Sequence, residues 1–253
     1  MPENALAANP PDFTNVDFSK ISTDRLKIMQ RAGEDVVECH RVLAVTGDNI
    51  VGELIRDVET FFEWDHYPDG DVYDPVTHSQ FYYHAHPQET RKPEHGHFHT
   101  FLRPDGMPKG VRPAMVDGFK MPENPDDALS HLVGISMDKY GVPIRLFTTN
   151  RWVTGEVWYD ADNVRRMLDS FLIDHTRPSW AVNRWISGMF SLFRPQIAAL
   201  VDARDVAILA WKKKYPDRNV FDDEELEITS QVEIDIDAQI AAVNAALTER
   251  GEP

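Results

Sequence analysis

Two short stretches alternate histidine with small or aromatic residues: "YYHAH", Tyr82–His86, and "EHGHFHTFL", Glu94–Leu102. They place five of the chain's ten histidines within sixteen residues. Alternation with a period of two is the signature of a strand with distinct faces. Residues two apart on a strand project from the same face, roughly 6–7 Å apart. His84 and His86 therefore share a face, and so do His95, His97 and His99. An antiparallel hairpin closing across "PQETRKPE" in the register His84 to His97 also pairs His86 with His95 and Tyr82 with His99. Directly opposed Cβ atoms then lie about 4.5–5.5 Å apart, and the five imidazoles cover one patch beside Tyr82. The reverse face carries Phe81, Tyr83, Ala85, Phe98, Thr100 and Leu102, a serviceable packing surface. A slip of one residue would separate the two histidine sets, so the prediction depends on register.

Neutral imidazole is the commonest biological ligand for Zn, Fe, Cu and Ni. Two strand-borne histidines joined by a neighbouring donor form a three-ligand site with open positions for water or substrate. The first and third histidines of His-x-His-x-His stand about 13 Å apart on a straight strand, too far to grip one ion together. The expected site thus takes two of them and a donor from "HAH" or a carboxylate, the others supporting it. The candidate metal ligands are His84, His86, His95, His97, His99 and His66, and the expected cofactor is a divalent ion, Zn or Fe. Glu94 and Asp65 are candidate proton acceptors; Tyr82, with Tyr83 as alternative, is a candidate hydrogen-bond donor. Asp65 and His66 belong to "WDHYPDGD", a loop that can fold over the end of the first histidine strand. Asp71 and Asp74 are further candidates there, although turns also explain aspartates in such a loop. The competing reading is a polar sheet face or a pH-sensitive histidine patch. His78, His131 and His175 read as ordinary strand-flanking or turn residues, and His40 as a satisfied histidine on a helix.

The formal net charge of −16 disfavours non-specific binding to nucleic acid or anionic membrane. One cysteine, Cys39, excludes an intramolecular disulfide and a Cys-rich zinc site. No apolar run reaches transmembrane length, and "MPENALAANPPDFTN" lacks the features of a signal peptide. A cytoplasmic protein acting on a small molecule, with homo-oligomerisation left open, is the expectation.

The flanking regions read as helix. Residues 1–20 form a loosely ordered arm, and 21–253 one α+β domain. Leu26, Met29, Ala32, Val36, Val37, His40 and Leu43 mark a helix over 23–45, with a shorter one over 49–62. "EWDHYPDGDVYDP" reads as a loop with several turns. Strands dominate about 63–160, including a hairpin with its tip near Lys139–Gly141 and a fifth strand at "GEVWYD". The Pro- and Gly-rich segment 103–127 is long enough to be a lid or binding loop. In the helical part, about 161–250, Asp162 and Ser179 are expected caps and Pro195 suits the first turn of a third helix. The Trp- and Phe-rich face over 180–193 fits core packing better than a membrane surface. Lys212–Lys214 suits a helix end. "LEITSQVEIDI" alternates as an exposed strand, and "DAQIAAVNAALTER" closes the chain as a helix. The fold class is α+β: a central antiparallel sheet with a His-rich face, flanked by N-terminal and C-terminal helices.

His95–His99 resembles the signature of the histidine-triad nucleotide hydrolases and transferases, over about eight residues. That resemblance implies a nucleophilic middle histidine, His97; Thr100 stands where the family carries an apolar residue. Strand-borne His-x-His also resembles carbonic anhydrases and cupin-type metalloproteins, through an equally short motif. "HYPDGDVYDP", "QFYYHAH" and "EHGHFHTFLRP" together resemble an uncharacterised bacterial domain of unknown function, which implies no activity. Walker, GxGxxG, GxSxG and HExxH motifs are missing. The residues favour a histidine-ligated metalloenzyme. A non-catalytic metal-binding or metal-sensing protein is the alternative, and a histidine-triad-like hydrolase the second.

Overall fold

The computed structural model describes residues 16–87, 91–116 and 118–252. Most of the expected arm therefore lies outside the described residues. Its last part, Phe18–Lys20, is a 3-10 turn whose carbonyls accept hydrogen bonds from Arg250.

Among the described residues, six strands form one antiparallel sheet in simple sequential order. They are β1 (Tyr67–Tyr73), β2 (Ser79–Ala85), β3 (Glu94–Leu102), β4 (Ser130–Asp138), β5 (Pro143–Thr149) and β6 (Ile228–Glu233). Around them run α1 (Thr23–Val45), α2 (Ile50–Leu54), α3 (Arg151–Thr154), α4 (Ala161–Met167), α5 (Trp180–Leu192), α6 (Arg194–Lys214) and α7 (Ile236–Thr248). The architecture is α+β, as the alternation and the helical periodicities require.

Alternation assigns the two faces. Phe81, Tyr83 and Phe98 point to one side, are fully buried, and join a core built from α1, α5, α6 and α7. Phe98 meets Trp185 of α5 at 5.3 Å between ring centroids. Each large apolar side chain taken from water in this way contributes about 1.5–3 kcal/mol. His40 accepts a hydrogen bond from the Trp185 indole at 2.9 Å, so this histidine is satisfied structurally. Ser22 and Ser179 cap α1 and α5 through their hydroxyls.

Several local expectations are corrected. The short helix ends at Leu54, and the first turn of α4 is capped by Asp160 rather than Asp162. "GEVWYD" forms no strand; the sixth sheet position is taken by β6, whose Thr229, Ser230 and Val232 are buried rather than exposed. Ser230 donates to the Leu200 carbonyl of α6, which explains that burial. The turn-rich segment after Trp64 contains an edge strand, β1, whose pairing with β2 breaks between Tyr67 and Val72. Pro68 and an irregular ladder are tolerated at a sheet edge. In the long segment after Arg103, Ala114 donates to the Trp158 carbonyl, and Ala114 and Val116 pack on the Trp158–Trp211 cluster.

Phe147 on β5 lies on the face opposite the helices, edge-on to His97 and His99 at 5.0 and 5.9 Å. Gly134 separates the strands here, paired with His99 on one side and Phe147 on the other. A Cβ at Gly134 would collide with the Phe147 ring. Gly134→Ala should therefore cost about 1–3 kcal/mol through overpacking, read as a lower denaturation midpoint; an unchanged midpoint would contradict this packing.

Candidate metal centre

The ladder between β2 and β3 pairs His84 with His97 and Tyr82 with His99. Its last pair is Ala85 with Gly96, so the expected partnership of His86 with His95 does not form. The cause is a bulge. On the β4 side the register jumps between Glu94 and Gly96, leaving His95 as the extra residue. His95 consequently turns to the core face, where its Nδ1 lies 2.7 Å from the Tyr83 hydroxyl and its ring stacks on Phe61. Glu94 takes the place on the imidazole face expected for His95, with Oε1 2.8 Å from His97 Nδ1. Gly96 permits the bulge: a Cβ there would collide with the Tyr83 hydroxyl and the His84 carbonyl.

A second bulge brings in a residue that sequence reasoning set aside. His99 pairs with Gly134 and Phe101 with His131, so Leu132 is the extra residue on β4. His131 thereby joins the histidine face, its Nε2 3.0 Å from His99 Nδ1. Its own Nδ1 lies 3.4 Å from the Thr149 hydroxyl.

The centre of this face is a convergence of ring nitrogens. His97 Nε2 lies 2.8 Å from His84 Nε2 and 3.0 Å from His99 Nε2. His84, His97 and His99 could hold a metal ion, their ligand atoms all lying within 4.8 Å of one another. His86, Glu94 and His97 form a second such group. A carboxylate only accepts, so the contact with Glu94 places the His97 proton on Nδ1 and leaves Nε2 bare. The remaining contacts can be satisfied in two tautomeric senses. In one, Thr149, His131 and His99 each donate toward His97. In the other, His99 Nδ1 donates to His131 and His131 Nδ1 to Thr149, leaving His99 Nε2 bare as well.

Burial makes these rings poor bases. His97, His99 and His131 are 2%, 1% and 3% exposed. Burial, reinforced by neighbouring imidazoles, lowers His84 to about 2 and holds His99 well below the ordinary histidine value. Burial is the leading cause of the fall of His131 to about 3, with Arg204 adding to it, and of His86 to about 4, with Arg91 adding to it. His97 is also lowered, burial outweighing the attraction of Glu94. Burial opposes ionisation of Glu94, but the His97 hydrogen bond and the Arg91 charge prevail and lower its pKa. Near neutrality the cluster is thus a set of uncharged nitrogen donors with one carboxylate.

The loop before β1 rims the solvent-facing edge. Trp64 donates its backbone N–H to the Ala85 carbonyl, and its ring stands edge-on to His86 at 4.3 Å. His66 stacks on Tyr82 with centroids 3.6 Å apart, and its Nδ1 lies 3.2 Å from Asp71 Oδ1. His66 is 46% exposed and 5.9 Å from the His84 ring, so it borders the cluster rather than joining either ligand group. Tyr82 lies between His66 and His99, and burial raises its phenol, keeping it a proton donor. Asp65 is exposed in the same loop. Asp74 caps a turn, accepting from Val76 and Thr77, and also accepts from Asp174. His78 contacts Tyr73, and His175 lies beside Asn183 of α5, both outside the two ligand groups.

Behind His131 lies Glu156, a second residue not anticipated from sequence. It is 1% exposed, and its Oε2 accepts the His131 backbone N–H at 2.6 Å. Burial, only partly offset by Arg204, raises its pKa to about 8. Isolated in a "TGEVW" segment, this glutamate carried no local signal of its burial.

The chain belongs to the family described as "Domain of unknown function (DUF6969)", whose model matches residues 30–234. No curated protein and no solved structure matches it. Among the described residues, no helix is long and apolar enough to cross a membrane.

The Glu156 shift has a definite consequence for stability. Its folded pKa is raised above the unfolded value of 4.5, so its contribution is fully present below that value and is lost as pH rises toward 8. The loss is at most about 1.4 kcal/mol per pH unit across that window. Glu156→Gln keeps an acceptor for the His131 N–H and removes the titration. Its unfolding free energy should exceed that of the parent by a few kcal/mol at pH ~8 and match it near pH ~4.5. Parallel denaturant curves at the two pH values would show this, and a difference independent of pH would refute it.

Proposed function

We propose that this protein is a metalloprotein in which the Nε2 atoms of His84, His97 and His99 hold one divalent ion, Zn or non-haem Fe. We further propose that it is an enzyme acting on a small molecule. The observation that carries the reading is the pair of nitrogen separations, 2.8 and 3.0 Å, about His97. Two nitrogens bound at about 2.0–2.1 Å to one ion stand about 2.9 Å apart at right angles and about 3.4 Å apart at the tetrahedral angle, so the rings need open by only a few tenths of an ångström to suit either geometry. His97 Nε2, left bare by the Glu94 contact, can accept from only one of its two neighbours at a time; with His84 and His99 also protonated on Nδ1, an ion turns the repulsion of three bare nitrogens into ligation. The outer partners favour the same reading. A ligating histidine commonly donates its other N–H to a carboxylate or another acceptor, which fixes its tautomer and raises its basicity. Glu94 serves His97 in this way, and His131 serves His99.

Three protein donors on one face leave positions open toward the His66 and Trp64 rim. The bound ion would polarise a water or a substrate oxygen there. Tyr82 would donate a hydrogen bond, His66 would be held by Asp71 at the edge, and Asp65 would be an exposed proton acceptor. Glu94 is better placed to orient His97 than to take a substrate proton. The same burial weighs against a histidine-triad mechanism, because His97 Nε2 is enclosed by two imidazoles with little access to a phosphate. The net charge of −16 favours a small substrate over nucleic acid.

Protein purified without an affinity tag should carry, or take up, stoichiometric Zn or Fe by elemental analysis. His84→Ala and His99→Ala should each abolish binding at the His84–His97–His99 site. Glu94→Gln should weaken it about 10–100-fold, whereas His95→Ala should leave it intact. Absence of any stoichiometric first-row ion after reconstitution would overturn the reading. A cobalt-substituted centre with a saturated shell and no exchangeable water would reassign the protein to metal binding without catalysis.

A further inference from the structure

The proposed first ion leaves one buried donor unused. His86 is 7% exposed, and its Nε2 is shut from solvent with no hydrogen-bond partner among the described residues. A polar nitrogen in that state has lost its water without replacement, which is costly unless something occupies the space. Trp64 covers the ring from outside, at 4.3 Å and nearly perpendicular, and so closes the route by which water would reach it. On the inner side, His86, Glu94 and His97 place one ligand atom each within 4.8 Å of one another. The contact of Glu94 with this group falls on His97 Nδ1, the ring nitrogen that the first ion does not use.

We propose that His86 Nε2, the Glu94 carboxylate and His97 Nδ1 bind a second divalent ion, so that His97 bridges two metals. This rests on the assignment of the first ion to His84, His97 and His99. The separation of 2.8 Å between Glu94 Oε1 and His97 Nδ1 suits adjacent ligands of one ion as well as it suits a hydrogen bond. With one ion bound, Nδ1 keeps its proton and donates to Glu94. When the hydrated second ion binds, two metal–nitrogen bonds and one metal–oxygen bond form as aqua ligands leave the ion for solvent, and the Nδ1–H bond breaks. That proton leaves to solvent, His97 becomes an imidazolate, and no electron is transferred. Arg91 does not cancel the carboxylate's usefulness. Its guanidinium is 3.9 Å from Glu94 Oε1 but is also ion-paired with Glu227. Two nitrogens and one oxygen form a donor set for Zn²⁺ or Cu²⁺ rather than for the all-oxygen ions Mg²⁺ and Ca²⁺.

Chelator-stripped, untagged protein titrated with Zn²⁺ near neutral pH tests this, with bound metal counted by elemental analysis and proton release followed calorimetrically in two buffers. Two equivalents per chain are expected, the second releasing one proton more than the first. His86→Phe keeps an aromatic ring against Trp64 and removes the nitrogen; it should bind one equivalent with an unchanged circular dichroism spectrum. His86→Gln provides the same reading should the phenylalanine disturb the fold. Loading with Cu²⁺ should give a magnetically coupled pair in the wild type and an uncoupled single copper in the variant. One equivalent in the wild type, or two retained by both His86 variants, overturns the second site while leaving the first intact. No bound ion in any form overturns the first site, and the second with it.

Discussion

The β2–β3 ladder, in the register that sets His84 against His97, is the constraint on which the rest of the structure depends. It sends Phe81, Tyr83 and Phe98 to the helices, where they bury fully against Trp185 and its neighbours. The same ladder sends Tyr82, His84, His97 and His99 to the opposite face. The hydrophobic gain on one side thus holds the imidazoles together on the other, since a one-residue slip would turn one strand's aromatic residues away from the helices and its histidines into the helical core. The fold supplies the energy that a cluster of desolvated rings could not supply for itself.

Two one-residue bulges then adjust what the ladder presents. One removes His95 from the imidazole face and substitutes Glu94; the other removes Leu132 and substitutes His131. Together they replace a row of identical donors with a graded arrangement. Three Nε2 atoms meet in the middle, a carboxylate supports His97, and an imidazole with a hydroxyl behind it supports His99. A fully alternating pair of strands would have put five histidines side by side without an orienting partner for either central ring. Bulges beside functional sites commonly re-aim side chains in this manner.

Much of this was legible in the residues. The facing of the aromatic and histidine sets follows from alternation, which excludes odd slips but leaves the His84–His97 register as a supposition that the sheet bears out, and the helices over 23–45, 180–192 and 194–214 follow their apolar spacing, serine caps and prolines. The predicted tip at Lys139–Gly141 lies between β4 and β5 for the same reason. The misreadings have a common origin. Alternation counts His95 with the cluster because it assumes an unbroken pleat, although Gly96 within the strand is a sign that the pleat can break. His131 is not legible as a member of the cluster because one histidine beside an apolar run carries no pattern. "GEVWYD" has strand-like composition, but the sheet position next to β5 belongs to β6, more than sixty residues farther along the chain.

The sequence by itself determined that a strand pair would carry imidazole on one face and aromatic rings on the other, because a period of two sorts an unbroken strand in that way. It also determined that helices would flank the sheet, and that the chain's negative charge would disfavour nucleic acid. Only the tertiary structure decided which nitrogens converge. That choice depends on where two ladders each accept one extra residue, and on the closing over of segments remote in sequence: Trp64 against His86, and Arg91 against Glu227. A bulge is set by the packing of both neighbouring strands at once. Local alternation could therefore predict a histidine surface, while the assembled sheet was needed to turn part of it into a set of ligands.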